Sequence, residues 1–269
     1  MKIEKTLRRL KDQKEKALII YITAGDPSLD VTEKLVYAIA EAGADMIELG
    51  IPFSDPLADG ETIQQASQRA LRNGINISQI LSSVKKIRMT ASIPIALMGY
   101  YNPIYQYGME SLLTDCRKAG VDGLIIPDLP FEESEDLRSI TEKEGLELIS
   151  FVSPTSTQER IKLIAANTRG FIYCVSVTGV TGVRTKFSTK IAEMIEKIRP
   201  YTDMPLAVGF GISTPQQAKT ATEYADAIIV GSAVVKLIEE AQGDLSKMLR
   251  NVSQFVGALK EGITEGDQV

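Results

Sequence analysis

The stretch VTEKLVYAIAEAGADMIELG, residues 31–50, places a helical pattern directly before a strand pattern. Apolar residues recur at helical spacing over residues 31–43, and Gly43 follows the last of them, as at many helix C-termini. The next run, ADMIELG (44–50), is short and apolar, which is typical of a buried strand. We therefore predict that a helix leads into a strand here.

Seven other short apolar runs alternate with helix-period segments along the chain. Such alternation predicts parallel strands with helices between them, and eight units in 269 residues favour a closed (β/α)8 barrel, or TIM barrel, over an open sheet. We expect residues 1–269 to form one such domain, with an extra N-terminal helix at residues 3–12 beneath the barrel. The eight predicted strands are residues 17–25, 44–50, 93–100, 123–128, 146–154, 170–176, 205–211 and 227–233.

Composition argues against several classes of function. The net charge of −5 provides no basic surface for nucleic acid, and no apolar segment is long enough to span a bilayer. Residues 1–20 lack the apolar stretch of a secretory signal. Two isolated cysteines, Cys116 and Cys174, suit a reducing compartment, so we expect a cytoplasmic protein that binds neither nucleic acid nor membrane.

The absence of histidine restricts the chemistry further. It excludes Ser-His-Asp triads and histidine metal sites, so proton transfer near neutral pH must use carboxylates, lysine, tyrosine or cysteine. None of the eight predicted strands contains lysine, which argues against a Schiff-base aldolase. Four loop acids keep a magnesium site open as an alternative, although we expect no metal: Asp26, Asp55, Asp59 and Asp128.

The predicted strand at residues 44–50 carries an acid near its end, because Glu48 follows Met46 and Ile47. Catalytic groups of (β/α)8 barrels lie at the carboxyl ends of the strands and in the loops that follow. Burial against Met46, Ile47 and Leu97 would raise the pKa of Glu48 and suit it to acid–base catalysis. An ion pair at the strand end explains Glu48 equally well.

Two more acids follow in the loop of ELGIPFSDPLADG (48–60). Asp55 precedes a proline and is typical of a turn. Asp59 precedes Gly60 and a helical pattern, so the residues alone favour a helix N-cap over a catalytic acid.

Glycine-bearing segments follow the last three predicted strands, at residues 176–182, 209–213 and 231–233. Glycine lets the backbone approach an anion, and the N–H groups at a helix start point towards it. We expect one helix to start near Ser213 or Thr214 and a short phosphate-binding helix after strand eight. This pattern favours a phosphorylated small-molecule substrate, although tight turns alone also account for each glycine.

Seven motifs resemble the tryptophan synthase alpha chain family over essentially the whole sequence. In chain order they are ITAGDP (22–27), ELGIPFSDPLADG (48–60), YYNPI (100–104), PDLP (127–130), GVTG (179–182), GFGIS (209–213) and GSA (231–233). The second motif is highly specific, whereas GFGIS and GSA alone are weak.

The resemblance implies a reaction and a partner. The reaction is the retro-aldol cleavage of indole-3-glycerol phosphate to indole and glyceraldehyde 3-phosphate. The partner is a beta chain that joins indole to serine, in an alpha2-beta2 heterotetramer. Pyridoxal phosphate then belongs to the beta chain, and this chain is expected to carry no cofactor.

The resemblance also implies roles for individual residues. Glu48 and Asp59 would be the catalytic pair, with Glu48 moving protons and Asp59 stabilising positive charge at the indole nitrogen. Asp55 would contact the beta chain, and residues 178–190 would form a lid over the phosphate. The residues implied to contact the substrate are Tyr21, Met98, Tyr173, Thr181, Gly182, Phe210, Gly211, Gly231 and Ser232.

Two other functions remain open. A sugar-phosphate isomerase or epimerase of the same fold would need several polar groups in place of an apolar slot around Tyr21, Met98 and Phe210. A catalytically silent barrel that only activates a partner enzyme would have no reason to retain both Glu48 and Asp59.

Overall fold

A computed structural model describes residues 1–175, 184–209 and 211–264 of the chain. Eight parallel strands close into a barrel in sequence order, with β1 pairing with both β2 and β8. The predicted (β/α)8 fold is therefore confirmed. The strands are β1 (Ala17–Thr23), β2 (Met46–Gly50), β3 (Ile95–Met98), β4 (Gly123–Ile125), β5 (Glu147–Val152), β6 (Ile172–Val175), β7 (Leu206–Gly209) and β8 (Ala227–Val230).

Twelve α-helices are present among the described residues. The predicted N-terminal helix and the predicted short helix after strand eight both form. The helices are α1 (Lys2–Asp12), α2 (Leu29–Glu41), α3 (Glu61–Arg72), α4 (Ile77–Arg88), α5 (Tyr101–Tyr107), α6 (Met109–Ala119), α7 (Glu135–Glu144), α8 (Gln158–Asn167), α9 (Arg184–Ile198), α10 (Pro215–Thr222), α11 (Ser232–Glu240) and α12 (Leu245–Thr264).

Each strand lies inside its predicted apolar run but is shorter than that run. Ala24 and Ile126 illustrate the reason, because both are buried although each lies just beyond the end of its strand. Residues just beyond a strand are thus apolar because they are buried, although some, such as Ala24, still donate one hydrogen bond to the neighbouring strand. Hydrophobicity alone therefore overestimates where each strand ends.

Successive strand residues alternate between two apolar layers. Leu18, Ile20 and Ile47 belong to the layer between the strands and the surrounding helices. Ile19 and Met46 belong to the barrel interior. This alternation directs every second side chain of a strand into the space where a site can form.

Helix α1 closes the bottom of the barrel. Its buried face consists of Ile3, Leu7 and Leu10, which belong to the same apolar cluster as the barrel interior. Gly123, the first residue of β4, has no space for a side chain, because a Cβ there would lie 2.6 Å from the Glu147 carbonyl oxygen and 2.8 Å from Ile3 Cδ1. The predicted position of this helix beneath the barrel is confirmed.

A buried acid, Glu147, joins α1 to the barrel at the start of β5. Its Oε2 accepts a hydrogen bond from the backbone N–H of Glu4, in the first turn of α1, at 3.0 Å. Its Oε1 is buried without a hydrogen-bond partner among the described residues. The pKa of Glu147 is raised to about 7, chiefly by burial. The Glu4 N–H and the chain N-terminus oppose this increase, and the charges of Glu4 and Asp122 contribute to it.

Glu147→Gln is expected to change how the free energy of unfolding depends on pH. Between pH 4.5 and 7 the folded protein holds a proton on Glu147 that the unfolded chain releases. The contribution of Glu147 to stability is thus present at low pH and is lost as the pH rises through 7. Glutamine does not titrate, so the variant does not lose this contribution. The free energy of unfolding of the variant minus that of the parent should therefore increase by about 2 kcal/mol from pH 5 to pH 8.

Urea unfolding at pH 5, 6, 7 and 8 measures this difference. Glu15→Gln, at an exposed position of the loop after α1, is the control for loss of a carboxyl group. A difference between Glu147→Gln and parent that stays constant with pH would contradict the expectation.

Candidate active site

Glu48 lies inside the barrel near the carboxyl end of β2, in register with Tyr21 on β1 and Ala96 on β3. Its side chain is almost fully buried, with 1% of the residue exposed. Burial raises its pKa to about 8, and the charge of Asp59 adds to this effect. Its Oε2 has no hydrogen-bond partner among the described residues, so the carboxyl group can meet a ligand.

Two predictions about the surroundings of Glu48 are wrong. Ile47 and Leu97 do not surround it, because they face the helix layer on the other side of the sheet. Of the three predicted neighbours, only Met46, two residues away in the chain, lies in the barrel interior with Glu48. The alternative of an ion pair is wrong too, since Glu48 is in none of the ion pairs formed in the described part of the chain.

Asp59 lies half-buried in the loop between β2 and α3 and is held there by Tyr100. The Tyr100 hydroxyl donates a hydrogen bond to Asp59 Oδ2 at 3.0 Å and accepts one from the backbone N–H of Ala58 at 3.0 Å. Burial raises the pKa of Asp59 to about 6, although the Tyr100 hydrogen bond opposes the increase. The N-cap alternative is wrong, because Gly60 caps α3 and no side chain caps this helix.

Two buried tyrosines, Tyr21 on β1 and Tyr173 on β6, complete a cluster with these acids. Burial raises the pKa of both hydroxyls well above the ordinary value, and the charges of Glu48 and Asp59 raise it further. The cluster thus combines two carboxyl groups and two tyrosine rings at one end of the barrel interior. The predicted catalytic pair and two predicted substrate contacts are brought together here.

Two glycines at strand ends make room for these rings. A Cβ on Gly50, the last residue of β2, would overlap the Tyr21 hydroxyl, and one on Gly209, the last residue of β7, would overlap the Tyr173 hydroxyl. Gly50 and Gly209 are therefore needed for the packing of the two tyrosine rings, in addition to any role in the loops that follow them.

The remaining walls are apolar. Met98, at the end of β3, packs against the barrel interior and against the buried cluster that contains Tyr21. Phe151 on β5 lies with its ring centroid 4.8 Å from that of Tyr173. The predicted contacts Thr181, Gly182 and Phe210 lie outside the described residues. Within the predicted lid, residues 184–190 begin helix α9, and residues 178–183 lie outside the described residues.

Two helix starts lie where the sequence predicted anion binding. Thr214 caps α10, because its side chain accepts a hydrogen bond from the Gln217 N–H. Of the two predicted N-cap residues, Ser213 and Thr214, the second is therefore the cap. Gly231 is the N-cap of α11, and Ser232 is its first residue. The first N–H groups of a helix have no acceptor within it and carry partial positive charge, which suits an anion.

The start of α11 adjoins the tyrosine cluster. A Cβ on Gly231 would lie 3.2 Å from Tyr21 Cβ, and Val235 of α11 packs against Tyr21. Gly211, after β7, has a φ of +73°, which favours glycine. An anion at α11 would thus be next to the aromatic wall of the carboxylate site.

The tip of the Asp59 loop is exposed. Asp55 is exposed and accepts a hydrogen bond from the Ser54 hydroxyl at 2.5 Å. Leu57, two residues before Asp59 in the chain, is 91% exposed. One loop therefore carries a half-buried acid on its inner side and an apolar side chain on its outer side.

The four loop acids that left a magnesium site open have separate partners. Asp26 forms two hydrogen bonds with Arg69, both at 2.9 Å. Asp128 accepts a hydrogen bond from the Tyr101 N–H, while Asp55 and Asp59 bind the hydroxyls described above. In the described ranges, no three carboxyl or thiol groups gather as metal ligands would.

No helix in the described ranges is both long and apolar enough to cross a membrane. The two cysteines, Cys116 and Cys174, are buried as free thiols.

Sequence reasoning missed two residues of this site. Tyr100 belongs to the YYNPI motif, but nothing in the sequence indicated that its hydroxyl reaches Asp59. Phe151 was included in a predicted strand without a role. An aromatic residue near the carboxyl end of a barrel strand is the signal that both share.

Comparisons with known proteins agree on one family. The family model for the tryptophan synthase alpha chain matches residues 7–264. The tryptophan synthase alpha chain of Thermoanaerobacter sp. (strain X514) is 51% identical over 260 residues, covering 97% of this chain and 98% of that protein. That of Geotalea uraniireducens (strain Rf4) is 49% identical over 262 residues, covering 97% of each.

Solved structures agree with the sequence matches. Tryptophan synthase subunit alpha from Legionella pneumophila superposes with a TM-score of 0.90 at 37% identity, over 98% of both chains. A chain of ligand-free tryptophan synthase from M. tuberculosis superposes with a TM-score of 0.88 at 32% identity, again over 98% of this chain.

Proposed function

This chain belongs to the tryptophan synthase alpha chain family, and from this premise we propose that Glu48 and Asp59 are its catalytic pair for cleavage of indole-3-glycerol phosphate. As a member of the family it is a carbon–carbon lyase, the alpha subunit of the tryptophan synthase complex, with a phosphorylated indole substrate and a beta-chain partner.

One observation supports this role assignment above the others. Glu48 is a buried carboxyl group that accepts no hydrogen bond from the described residues, and the charge of a second acid, Asp59, acts on it. Glu147 also has a buried oxygen without a partner, but its other oxygen accepts the Glu4 N–H. Burying a polar group without a partner costs free energy, so the arrangement destabilises the fold unless a ligand uses it. A silent barrel that only activates its partner would gain nothing from this cost.

The raised pKa suits Glu48 to the first step of the reaction. With a pKa of about 8 it is mostly protonated at pH 7 and can donate its proton to indole C3. This gives a cation in which the ring nitrogen is an iminium. The resulting carboxylate then accepts the proton of the C3′ hydroxyl.

Bond cleavage follows from that second proton transfer. As the C3′ oxygen forms a carbonyl, the electrons of the C3–C3′ bond return to the ring and neutralise the iminium. The products are indole and glyceraldehyde 3-phosphate, and the proton that Glu48 gains restores its starting state. One carboxyl group thus serves as acid and then as base.

Asp59 is proposed to stabilise the cation. With a pKa of about 6 it is mostly ionised at pH 7, so a carboxylate is available for the indole N–H. Positive charge develops there only after C3 is protonated. The interaction is therefore stronger in the transition state than in the bound substrate, which is the condition for accelerating the reaction.

The apolar walls favour an indole over a sugar phosphate. Tyr21, Met98, Phe151 and Tyr173 surround the acids with aromatic and thioether surface. A sugar-phosphate isomerase would need several polar groups to bind its hydroxyls, and the walls formed by these four residues supply few.

We propose that the phosphate binds at the start of α11, with Gly231 and Ser232, together with Gly211. Thr181, Gly182 and Phe210 keep their proposed roles as substrate contacts. The helix N-terminus supplies N–H donors and positive potential, and Gly231 lies against Tyr21, so the phosphate and the indole would occupy adjoining positions.

Ser232→Asp tests the phosphate position. A second negative charge about 4 Å from the phosphate costs about 4 kcal/mol at an effective dielectric constant of about 20, so KM should rise at least about 10-fold while kcat changes less. The fold should tolerate the acid, because a carboxylate at a helix N-terminus is favourable. Steady-state kinetics of Ser232→Asp and of the uncharged control Ser232→Asn measure KM and kcat, and urea unfolding of each variant measures stability. An unchanged KM in Ser232→Asp would contradict this position for the phosphate.

Further features are proposed for the assembly. Exposed Asp55 and Leu57, on the outer side of the Asp59 loop, are proposed to contact the beta chain. We propose an alpha2-beta2 stoichiometry, with pyridoxal phosphate in the beta chain and no cofactor or metal in this one. Residues 1–269 are proposed to form one domain that functions in the cytoplasm.

An indole-release assay tests the activity itself. The purified chain is incubated with indole-3-glycerol phosphate, alone and with a beta chain, and indole is measured against time. Release that increases with the beta chain supports the proposal. No release in either condition would overturn the substrate assignment, and conversion of a sugar phosphate in its place would favour the isomerase alternative.

A further inference from the structure

A feature of the site that the catalytic scheme does not use is the pair of hydrogen bonds at the Tyr100 hydroxyl. Tyr100 follows β3, whereas Ala58 and Asp59 belong to the loop after β2. The hydroxyl accepts from the Ala58 N–H and donates to Asp59 Oδ2, both at 3.0 Å. It therefore connects the main chain and the side chain of the Asp59 loop to a neighbouring strand end.

Resting on the function proposed above, we infer that Tyr100 is a positioning residue that directs one oxygen of Asp59 towards the substrate. Because its hydroxyl occupies Oδ2, the other oxygen, Oδ1, is left to accept the indole N–H. Tyr100 also donates to the ionised form of Asp59, which is the form that stabilises a cation.

The surrounding contacts give Tyr100 a defined position. Its ring packs on that of Phe53 with the centroids 5.1 Å apart, and only 4% of the residue is exposed. The main chain of the loop has a separate support, since Gln64 Nε2 donates to the Asp59 carbonyl at 2.8 Å. Gln64 thus holds the loop backbone, and Tyr100 sets the direction of the carboxyl group.

Several ionisable groups act on this pair in the described part of the site. Glu48 from β2, Tyr21 from β1 and Tyr173 from β6 face Asp59, and Asp128 from the loop after β4 raises the pKa of Tyr100. These neighbours are acids or phenols, with no cation among them. The hydrogen bond from Tyr100 is the interaction that lowers the pKa of Asp59.

Tyr100→Phe tests the inference, because it removes the hydroxyl and keeps the ring on Phe53. The value of kcat/KM at pH 7 should fall about 10-fold to 100-fold, as for loss of a hydrogen bond to a charged group. The acidic limb of the pH profile of kcat/KM, near pH 6 in the parent, should move upward by about 1 unit or more. The basic limb, set by Glu48, should stay in place.

A double variant separates positioning from direct contact with substrate. In an Asp59→Asn background there is no carboxylate to direct, so adding Tyr100→Phe should cause little further loss. Tyr105→Phe, at a position 65% exposed on α5, is the matched control and should behave as the parent. Urea unfolding of each variant checks that the fold is intact.

The outcomes distinguish this inference from the function on which it rests. A parent that releases no indole overturns the function. An active parent with an unchanged acidic limb in Tyr100→Phe overturns the positioning role alone. If Tyr100→Phe caused the same loss in the parent and in the Asp59→Asn background, Tyr100 would be a substrate contact, and the positioning role would be overturned too.

Discussion

Glu48→Gln is expected to lower kcat for indole release by about 10²-fold to 10⁴-fold, the usual contribution of one general acid–base group. Glutamine has nearly the same shape but no proton to donate to C3 and no basic oxygen for the C3′ hydroxyl. Since the same side chain serves both transfers, both are lost together. Initial rates of indole release at saturating substrate measure the effect.

The pH profile gives this expectation a second readout. The parent should lose kcat/KM above about pH 8, because Glu48 must be protonated to act as the acid. Residual activity of Glu48→Gln should lack this basic limb. Stability should also depend on Glu48. The free energy of unfolding of the parent should decrease as the pH rises from 4.5 through 8, because folded Glu48 holds a proton that the unfolded chain releases. Glu48→Gln should lack this contribution to the pH dependence.

Glu147→Gln is the matched control for this experiment. Both are buried glutamates on barrel strands, but Glu147 lies at the opposite end of the barrel under α1. It should retain parental activity while changing stability. If Glu48→Gln kept parental kcat, or if both variants lost activity equally, the assignment of Glu48 as the proton-transfer group would be wrong.

Asp59→Asn is expected to lower kcat by about 10²-fold to 10³-fold, as for removal of one preorganised electrostatic contact to a charged transition state. The neutral amide can still interact with Tyr100, so the loop should keep its conformation. Because the cation forms only after C3 is protonated, KM should change little. Steady-state kinetics that separate kcat from KM measure this, with the acidic limb near pH 6 expected to disappear.

Asp55→Asn provides the control within the same loop. Asp55 is exposed, and its carboxylate binds the Ser54 hydroxyl at the loop surface, so its replacement should leave the activity of the isolated chain unchanged. We expect it instead to weaken the stimulation by a beta chain. A rise in KM alone for Asp59→Asn, or equal losses in both variants, would be incompatible with charge stabilisation by Asp59.

Most of the architecture was predictable because its signals are local. Each strand carries a short apolar run, and helix ends carry glycine, as at Gly120, which caps α6 in the left-handed conformation. The presence of a carboxyl group near the end of β2 could also be read directly. The boundaries were less accurate, since buried residues beyond a strand, such as Ile126, look the same in sequence as residues within it.

The errors arose where a side chain had a choice of partners. Ile47 was expected beside Glu48 because it is adjacent in the chain, but adjacent strand residues face opposite sides. Asp59 was expected to cap α3 on local grounds, yet its carboxyl group binds Tyr100 instead. A local rule predicts a partner nearby in the chain, whereas Asp59 binds a residue that follows the neighbouring strand.

The sequence by itself therefore determined the eight strand–helix units, the family and the identity of the acids. Tertiary structure alone decided which oxygen of Asp59 is occupied, that Glu48 Oε2 has no partner among the described residues, and that Gly231 adjoins Tyr21. The physical reason is that pattern and propensity act over a few residues. The properties of the site depend on burial and on contacts between strands that come together only when β1 closes the barrel against β8.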